Sequence, residues 1–159
     1  LVRGEYEVRL DNDFAAVIQA CAATPRKAQQ GTWITQEMQD SYRRLHELGF
    51  AHSVETWIDG RLAGGLYGLS IGKMFYGESM FARVADASKI AIAHLAAFLD
   101  DHGFGLIDCQ MATPHLASLG AREMPREDFL ARLGELVQRG QNASRWPRDG
   151  ARRDWTIPK

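Results

Sequence analysis

Residues 106–111 read LIDCQM, so an acid, a thiol and an amide follow directly on two apolar residues. Leu106 and Ile107 fit the end of a buried strand, and polar groups at such an exit are costly unless paired or put to use. Alternation along an extended chain places Asp108 and Gln110 on one side and Cys109 on the other. A carboxylate can hold a cation or accept a proton, and a primary amide can donate to a developing oxyanion while accepting from an amine. The plain alternative is that Asp108 caps the next helix and Gln110 satisfies backbone groups. Cys109 as a nucleophile would need an activating His; turned away from Asp108, it reads as a small core residue. Ser118 and His115 lie nearby, but no nucleophile elbow surrounds the serine.

The elements that must position these groups follow from the pattern of the chain. EYEVRL (5–10) alternates as a strand, and DNDFAAVIQACAA offers acidic caps before a helix. TPRKAQQG (24–31) is a loop, and a second helix over 35–48 starts at Thr35 and stops at Gly49. Met38, Tyr42, Leu45 and Leu48 fall on one face of it. AHSVETWI (51–58) ends in Asp59-Gly60, a hairpin signal, and RLAGGLYGLSI returns with three glycines that suggest a bulge or a close backbone approach. KMFYGES is the third middle strand. DASKIAIAHLAAFLDDHG is a helix capped by Asp86 or Ser88, FGLIDCQ a short apolar strand, and TPHLASLG a compact helical turn with Pro114 at its first position. MPREDFLARLGELV makes the last helix. The division expected is one domain over 1–138 and an irregular, Arg-rich tail over 139–159. Hairpin-linked strands between helices imply an α+β fold around a mostly antiparallel sheet. This order resembles the fold of the acyl-CoA N-acyltransferases (GNAT-like).

A chain of 159 residues suits one domain, and 45% hydrophobic with 25% charged residues is ordinary for a soluble protein. The net charge of -1 provides no global basic field for nucleic acid, so any RNA contact must be local. Cys21 and Cys109 lack a CxxC spacing, which indicates neither a zinc site nor a disulfide framework and fits a reduced, cytoplasmic setting. No apolar run reaches the roughly 20 residues of a membrane span. The chain opens on Leu1, and a fragment lacking an upstream part is expected.

An acyl-CoA enzyme would need glycines at the strand–helix junction, so that backbone N–H groups converge on a pyrophosphate. Here the junction reads GESMFARVADASK, with no glycine after Gly77 and with Glu78 to repel a phosphate. Taken together, GTWIT, YRRLHELGFAHSVE, GGLYGLSIGKMFYGESMF, ASK, LIDCQ and HLASLGAREMPREDFL resemble the leucyl/phenylalanyl-tRNA–protein transferases, from about Phe14 to Val137. The resemblance implies transfer of Leu, Phe or sometimes Met from aminoacyl-tRNA to a protein's N-terminal Arg or Lys, which marks that protein for degradation. It implies no cofactor and no metal, and its partners are an aminoacyl-tRNA and the N-terminus of a protein or peptide. An N-terminal domain typical of the family, with an aromatic wall of the adenosine site and a basic tRNA-binding region, is not visible in the chain.

Within that resemblance Asp108 binds and orients the acceptor amine, Gln110 faces the developing oxyanion, and Glu78 holds the acceptor's amine or cationic side chain. The alternative for Glu78 is an acid paired with Lys89 or Arg83. The reference pKa of an α-amine, roughly 7.7–8.0, leaves a useful neutral fraction at pH 7, so positioning is the larger demand. Leu66, Phe75, Ile92, Leu95 and Ile107 would line an apolar pocket for the donor side chain; each also fits plain core. Leu66 stands where relatives commonly have Met, a swap of similar volume. Trp33 is either a stacking platform for the adenosine or a hydrophobic staple on the second helix, with Tyr42 beside it. The tail's Arg139, Arg145, Arg148, Arg152, Arg153 and Lys159 either touch RNA phosphates or are solvated. Three rivals remain: transfer to a small-molecule amine, a non-catalytic binding module, and an acyl-CoA enzyme with a divergent loop.

Overall fold

In the computed structural model, residues 6–25, 32–140 and 143–147 are described. The chain runs β1 (Glu7–Leu10), α1 (Phe14–Ala23), α2 (Gln36–Glu47), β2 (Ala51–Ile58), β3 (Arg61–Ile71), β4 (Met74–Ala82), α3 (Ala87–Asp101), β5 (Leu106–Asp108), α4 (Pro114–Ser118) and α5 (Arg126–Leu136). One five-stranded sheet has the order β1-β2-β3-β4-β5. Every neighbouring pair is antiparallel except β4 and β5, which are parallel across the α3 crossover. The expected order of elements stands, although the third middle strand extends to Ala82 and the last contracts to three residues.

Helices α1 and α2 cover one face of the sheet. Ten residues are too few for α1 to persist alone in water. Phe14, Val17, Ile18 and Cys21 form its buried stripe, packed with Tyr42, Tyr67 and Phe81. Side chains of this size each contribute about 1.5–3 kcal/mol when fully buried. The Asp13 carboxylate caps α1 by accepting from the Ala16 N–H at 3.0 Å. In turn the Asp13 N–H donates to the buried Glu55 carboxylate at 2.7 Å. Burial pushes the Glu55 carboxyl above its ordinary range, against donors from Asp13, Trp57 and Ser53. In α2, Tyr42 is buried and Met38 and Leu45 pack against the same cluster, but Leu48 is 49% exposed. It is the C-cap, where the chain has already begun to leave the helical face.

Helix α3 covers the other face through Ile90, Ala91, Leu95 and Leu99, which pack with Val8, Leu10, Val54, Leu66 and Phe75. Within the stretch read as a tail, residues 143–147 carry no helix or strand, and Trp146, 6% exposed, belongs to this cluster. Arg148, Arg152, Arg153 and Lys159, like most of the 24–31 loop, lie outside the described residues.

The β2–β3 turn is tight, with Asp59 at φ 50° and Gly60 at φ 69°. In β3, a Cβ on Gly68 would fall 2.2 Å from the Tyr76 carbonyl oxygen and 2.6 Å from the Phe75 ring. Neither neighbour can retreat easily, one being backbone and the other a fully buried ring. Gly68→Ala is expected to destabilise by about 1–3 kcal/mol, the cost of overpacking. A urea midpoint equal to the parent's would show that the β3–β4 gap is wider than these distances say.

Candidate active site

β4 and β5 pair only over Met74–Leu106, Phe75–Ile107 and Tyr76–Asp108. Beyond that point β5 stops while β4 continues to Ala82 against β3. The two backbones still touch at the parting, since a Cβ on Gly77 would meet the Asp108 carbonyl oxygen at 3.5 Å. A second irregularity lies beside it. On β4, Ser79 is opposite Tyr67 but Gly77 is opposite Gly68, so Glu78 is an extra residue in the ladder, a bulge. Bulges re-aim a side chain that regular pleating would send elsewhere.

Here the re-aimed carboxylate faces the Tyr42 phenol of α2. Burial first, and then the charge of Glu78, raise the Tyr42 hydroxyl far above its ordinary range, so it stays neutral and able to donate. The expected cationic partners of Glu78 are engaged elsewhere. Lys89 pairs with Asp86 at 2.7 Å, and Arg83 donates to the Leu62 carbonyl at 3.2 Å. Asp108 ends β5 directly after Ile107, which packs into the α3 cluster, so alternation gives the two side chains opposite sides of the pleat. Tyr76, opposite Asp108 in register, is the neighbour that sequence reasoning missed. Its phenol is pushed up by burial and by the Asp108 carboxylate. Only the register, and not any local motif, identifies it.

Gln110 departs from the alternation expected of it. The strand ends at Asp108, and Gln110 lies at φ 62°, exposed and outside the ladder. The cause is local: the Asp108 Oδ1 accepts the Gln110 N–H at 2.8 Å, a side-chain turn that competes with continued extension. Asp108 does not cap α4, because the Thr113 hydroxyl accepts the Leu116 N–H at 3.1 Å. Among the described residues, the other non-glycine positions at positive φ are Asp11, Asp59 and Asp86, a type that tolerates the left-handed region; glutamine does not share that ease. Gln110→Gly is therefore expected to leave stability unchanged or raise it by up to about 1 kcal/mol, as relief of strain. A chemical melt checks this, and a loss of more than that amount would deny the strain. Cys109 is half-buried, and burial followed by the Asp108 carboxylate pushes its thiol up, which suppresses the thiolate that a nucleophile needs.

The five apolar candidates come together on the α3 side. Leu66, Phe75 and Leu95 are buried members of one cluster, with Ile92 and Ile107 packed against it at its rim. Met80, opposite Leu66 on β4, joins them there. It was not singled out in the sequence because the bulge shifts the alternation that would have placed it. Ile92, Ile107, Asp108 and Gln110 also line an open groove of about 1670 Å³ between α3 and the α4–α5 region.

Trp33 is 38% exposed, whereas the adjacent Ile34 is buried at 1% and occupies the staple position preceding the Thr35 cap. That leaves the indole of Trp33 available on the surface at the head of α2. Ser118 donates to the His115 carbonyl at 2.7 Å, not to its imidazole. Asp86 at the head of α3 places a carboxylate where a phosphate cradle would lie, at φ 64° and paired with Lys89. Among the described residues no cluster of three His, Cys, Asp or Glu is placed to hold a metal, and no helix is long and apolar enough to cross a membrane.

A family model described as leucyl/phenylalanyl-tRNA protein transferase matches residues 1–134. The chain belongs to this family. The leucyl/phenylalanyl-tRNA–protein transferase of Dechloromonas aromatica (strain RCB) is 58% identical over 146 residues, which cover 92% of this chain and 62% of that protein. That of Nitrosomonas eutropha (strain DSM 101675 / C91 / Nm57) is 54% identical over 159 residues, 100% of this chain and 65% of that protein. The chain thus spans about three fifths of the length of the family members it matches. Among solved structures, an aminoglycoside acetyltransferase from an uncultured soil metagenomic sample superposes with a TM-score of 0.53 at 17% identity, covering 76% of this chain and 94% of that one. This likeness is one of fold, the GNAT-like α+β arrangement.

Proposed function

We propose that this chain carries the transfer centre of an aminoacyl-tRNA–protein transferase, moving Leu, Phe or Met from tRNA to the N-terminal amine of proteins that begin with Arg or Lys. The observation that supports it is the arrangement where β4 and β5 part. Asp108 at the end of β5 and the bulged Glu78 on β4 flank this parting, and one apolar cluster lies on the α3 side.

In this reading the neutral amine of the acceptor attacks the ester carbonyl of the donor. A C–N bond forms, the C–O bond to the terminal ribose breaks, and the proton lost by nitrogen ends on the departing ribose oxygen. The ester is already activated, so the protein's work is to hold the partners in line and to support the oxyanion. Asp108 anchors the amine. Gln110, fixed by the turn that Asp108 makes, supplies amide donors to the carbonyl oxygen. Glu78, steadied by the neutral Tyr42, neutralises the cationic side chain of the first residue. Leu66, Phe75, Leu95, Ile92 and Ile107 receive the donor side chain, and Trp33 stacks on the terminal base. An apolar pocket separates side chains by only about 1–3 kcal/mol per methylene, which fits tolerance among Leu, Phe and Met. The product would carry a new N-terminal residue that marks it for degradation, in a cytoplasmic setting.

The test is transfer of radiolabelled Leu or Phe from tRNA to an Arg-starting peptide, by full-length protein that includes this chain, with labelled acetyl-CoA in a parallel reaction. Label arriving from tRNA alone supports the proposal. Label arriving only from acetyl-CoA, or reaching free amines but no peptide, would overturn it.

A further inference from the structure

We infer that Trp146, acting through Phe75, fixes the depth of the donor side-chain pocket and so its choice between Leu and Phe. This rests on the proposed function and names a positioning residue for that same site. A donor side chain would enter from the groove beside Asp108, which Ile92 and Ile107 line. Leu66, Phe75 and Leu95 lie deeper, at 3%, 0% and 1% exposed. Register places Ile107 beside Phe75 on the β5 side. The pocket therefore deepens from β5 toward β2, and Phe75 stands across its inner end.

How far Phe75 can yield decides how large a side chain fits. Its neighbour on β3 is Gly68, and the ring already lies over it: a Cβ there would fall 2.6 Å from two atoms of the Phe75 ring. On the far side of β3, Gly68 is paired with His52 of β2. Trp146 covers His52, its indole stacked on the imidazole at 4.0 Å and 5° and reaching the Phe75 ring at 5.8 Å. From the helix side Phe98 closes on the indole at 4.7 Å, in the turn of α3 that follows Leu95. Retreat of Phe75 toward β2 thus requires Trp146 to move, and a close-packed interior offers no void to receive it.

The imidazole behind the indole is itself anchored. The His52 Nδ1–H donates to Asp11 Oδ2 at 2.7 Å, and Asp11 Oδ1 accepts the Ser53 N–H at 2.8 Å. Among the described residues the other ring nitrogen, Nε2, is buried without a hydrogen-bond partner. A group left in that condition costs stability, so packing alone would be served better by an apolar ring. What histidine adds is a flat ring gripped at one edge by a carboxylate, a plate whose tilt is set. The indole lying on it is held in place, although residues 143–147 form neither helix nor strand.

Trp146→Phe shortens the indole to a single ring and keeps the segment aromatic; Trp146→Tyr gives the same reading should the phenylalanine variant not fold. The measurement is a competition. Leu-tRNA and Phe-tRNA with different radiolabels, at equal concentrations, donate to one Arg-starting peptide through full-length protein that includes this chain. The label ratio in the product equals the ratio of the two kcat/KM values, whatever fraction of the enzyme is folded. The expected result is a rise of Phe over Leu by about tenfold, the low end of what one methylene of pocket space discriminates. Val17→Ala opens the core on the opposite face of the sheet and should keep the parent ratio within about twofold. A Trp146 variant within about twofold of the parent, or a shift as large in Val17→Ala, would overturn the inference, while continued transfer leaves the proposed function standing. No transfer from either tRNA by the parent protein would remove both.

Discussion

Asp108→Asn is expected to lower kcat/KM for aminoacyl transfer by about 10²-fold or more with the thermal midpoint unchanged, the size of effect that positioned acid–base and electrostatic groups contribute. The substitution keeps an oxygen that can accept the Gln110 N–H, so the turn seen at 2.8 Å survives and only the charge is lost. Asp108→Ala should cost more, because it also releases Gln110 from its turn. Gln110→Ala probes the amide alone, and its loss should fall in kcat with little change in KM for the acceptor if the amide serves the oxyanion. A 10²-fold change corresponds to about 2.7 kcal/mol of transition-state stabilisation. Rates unchanged in both Asp108→Asn and Gln110→Ala would place the chemistry elsewhere in the molecule.

Trp146→Ala is expected to destabilise the chain by about 3–5 kcal/mol, the range for deleting a large aromatic from a core. The indole stacks on His52 at 4.0 Å and 5°, meets Phe98 at 4.7 Å and reaches Phe75 at 5.8 Å. His52 is itself buried and held by Asp11, whose Oδ2 lies 2.7 Å from Nδ1; a carboxylate only accepts, so Nδ1 carries the hydrogen. Removing the indole exposes this pair and the back of Phe75 together. With total stabilities of about 5–15 kcal/mol for natural domains, the loss is a large fraction of the whole. Denaturant midpoints of Trp146→Ala and Trp146→Phe measure it; a shift under about 1 kcal/mol for the alanine variant would mean that the segment around Trp146 rests on the core without closing it.

Much of this framework was legible in the chain because local chemistry wrote it there. Asp59-Gly60 announced its turn, Thr35 and Gly49 bracketed α2, and Thr113-Pro114 opened α4. The five apolar candidates share a cluster because period-two and helical spacing both direct them to α3. What escaped depended on partners distant in sequence. The bulge at Glu78 exists only relative to β3, and the pairing of Tyr76 with Asp108 only relative to β5. Gln110 was misplaced because a side-chain turn overrode alternation one residue after the strand ended. Trp146, isolated among arginines and prolines, had no periodicity to reveal that it is core.

The extra residue in β4 also settles a matter of parity. Phe75 and Met80 are five positions apart, an odd interval that an uninterrupted strand would send to opposite sides, yet both pack toward α3. Glu78 supplies the missing half-step. Excising that single codon would yield a smoother ladder and swap Met80 with Phe81 between the two cores, so in this strand the count of residues is under tighter constraint than the identity of most of them.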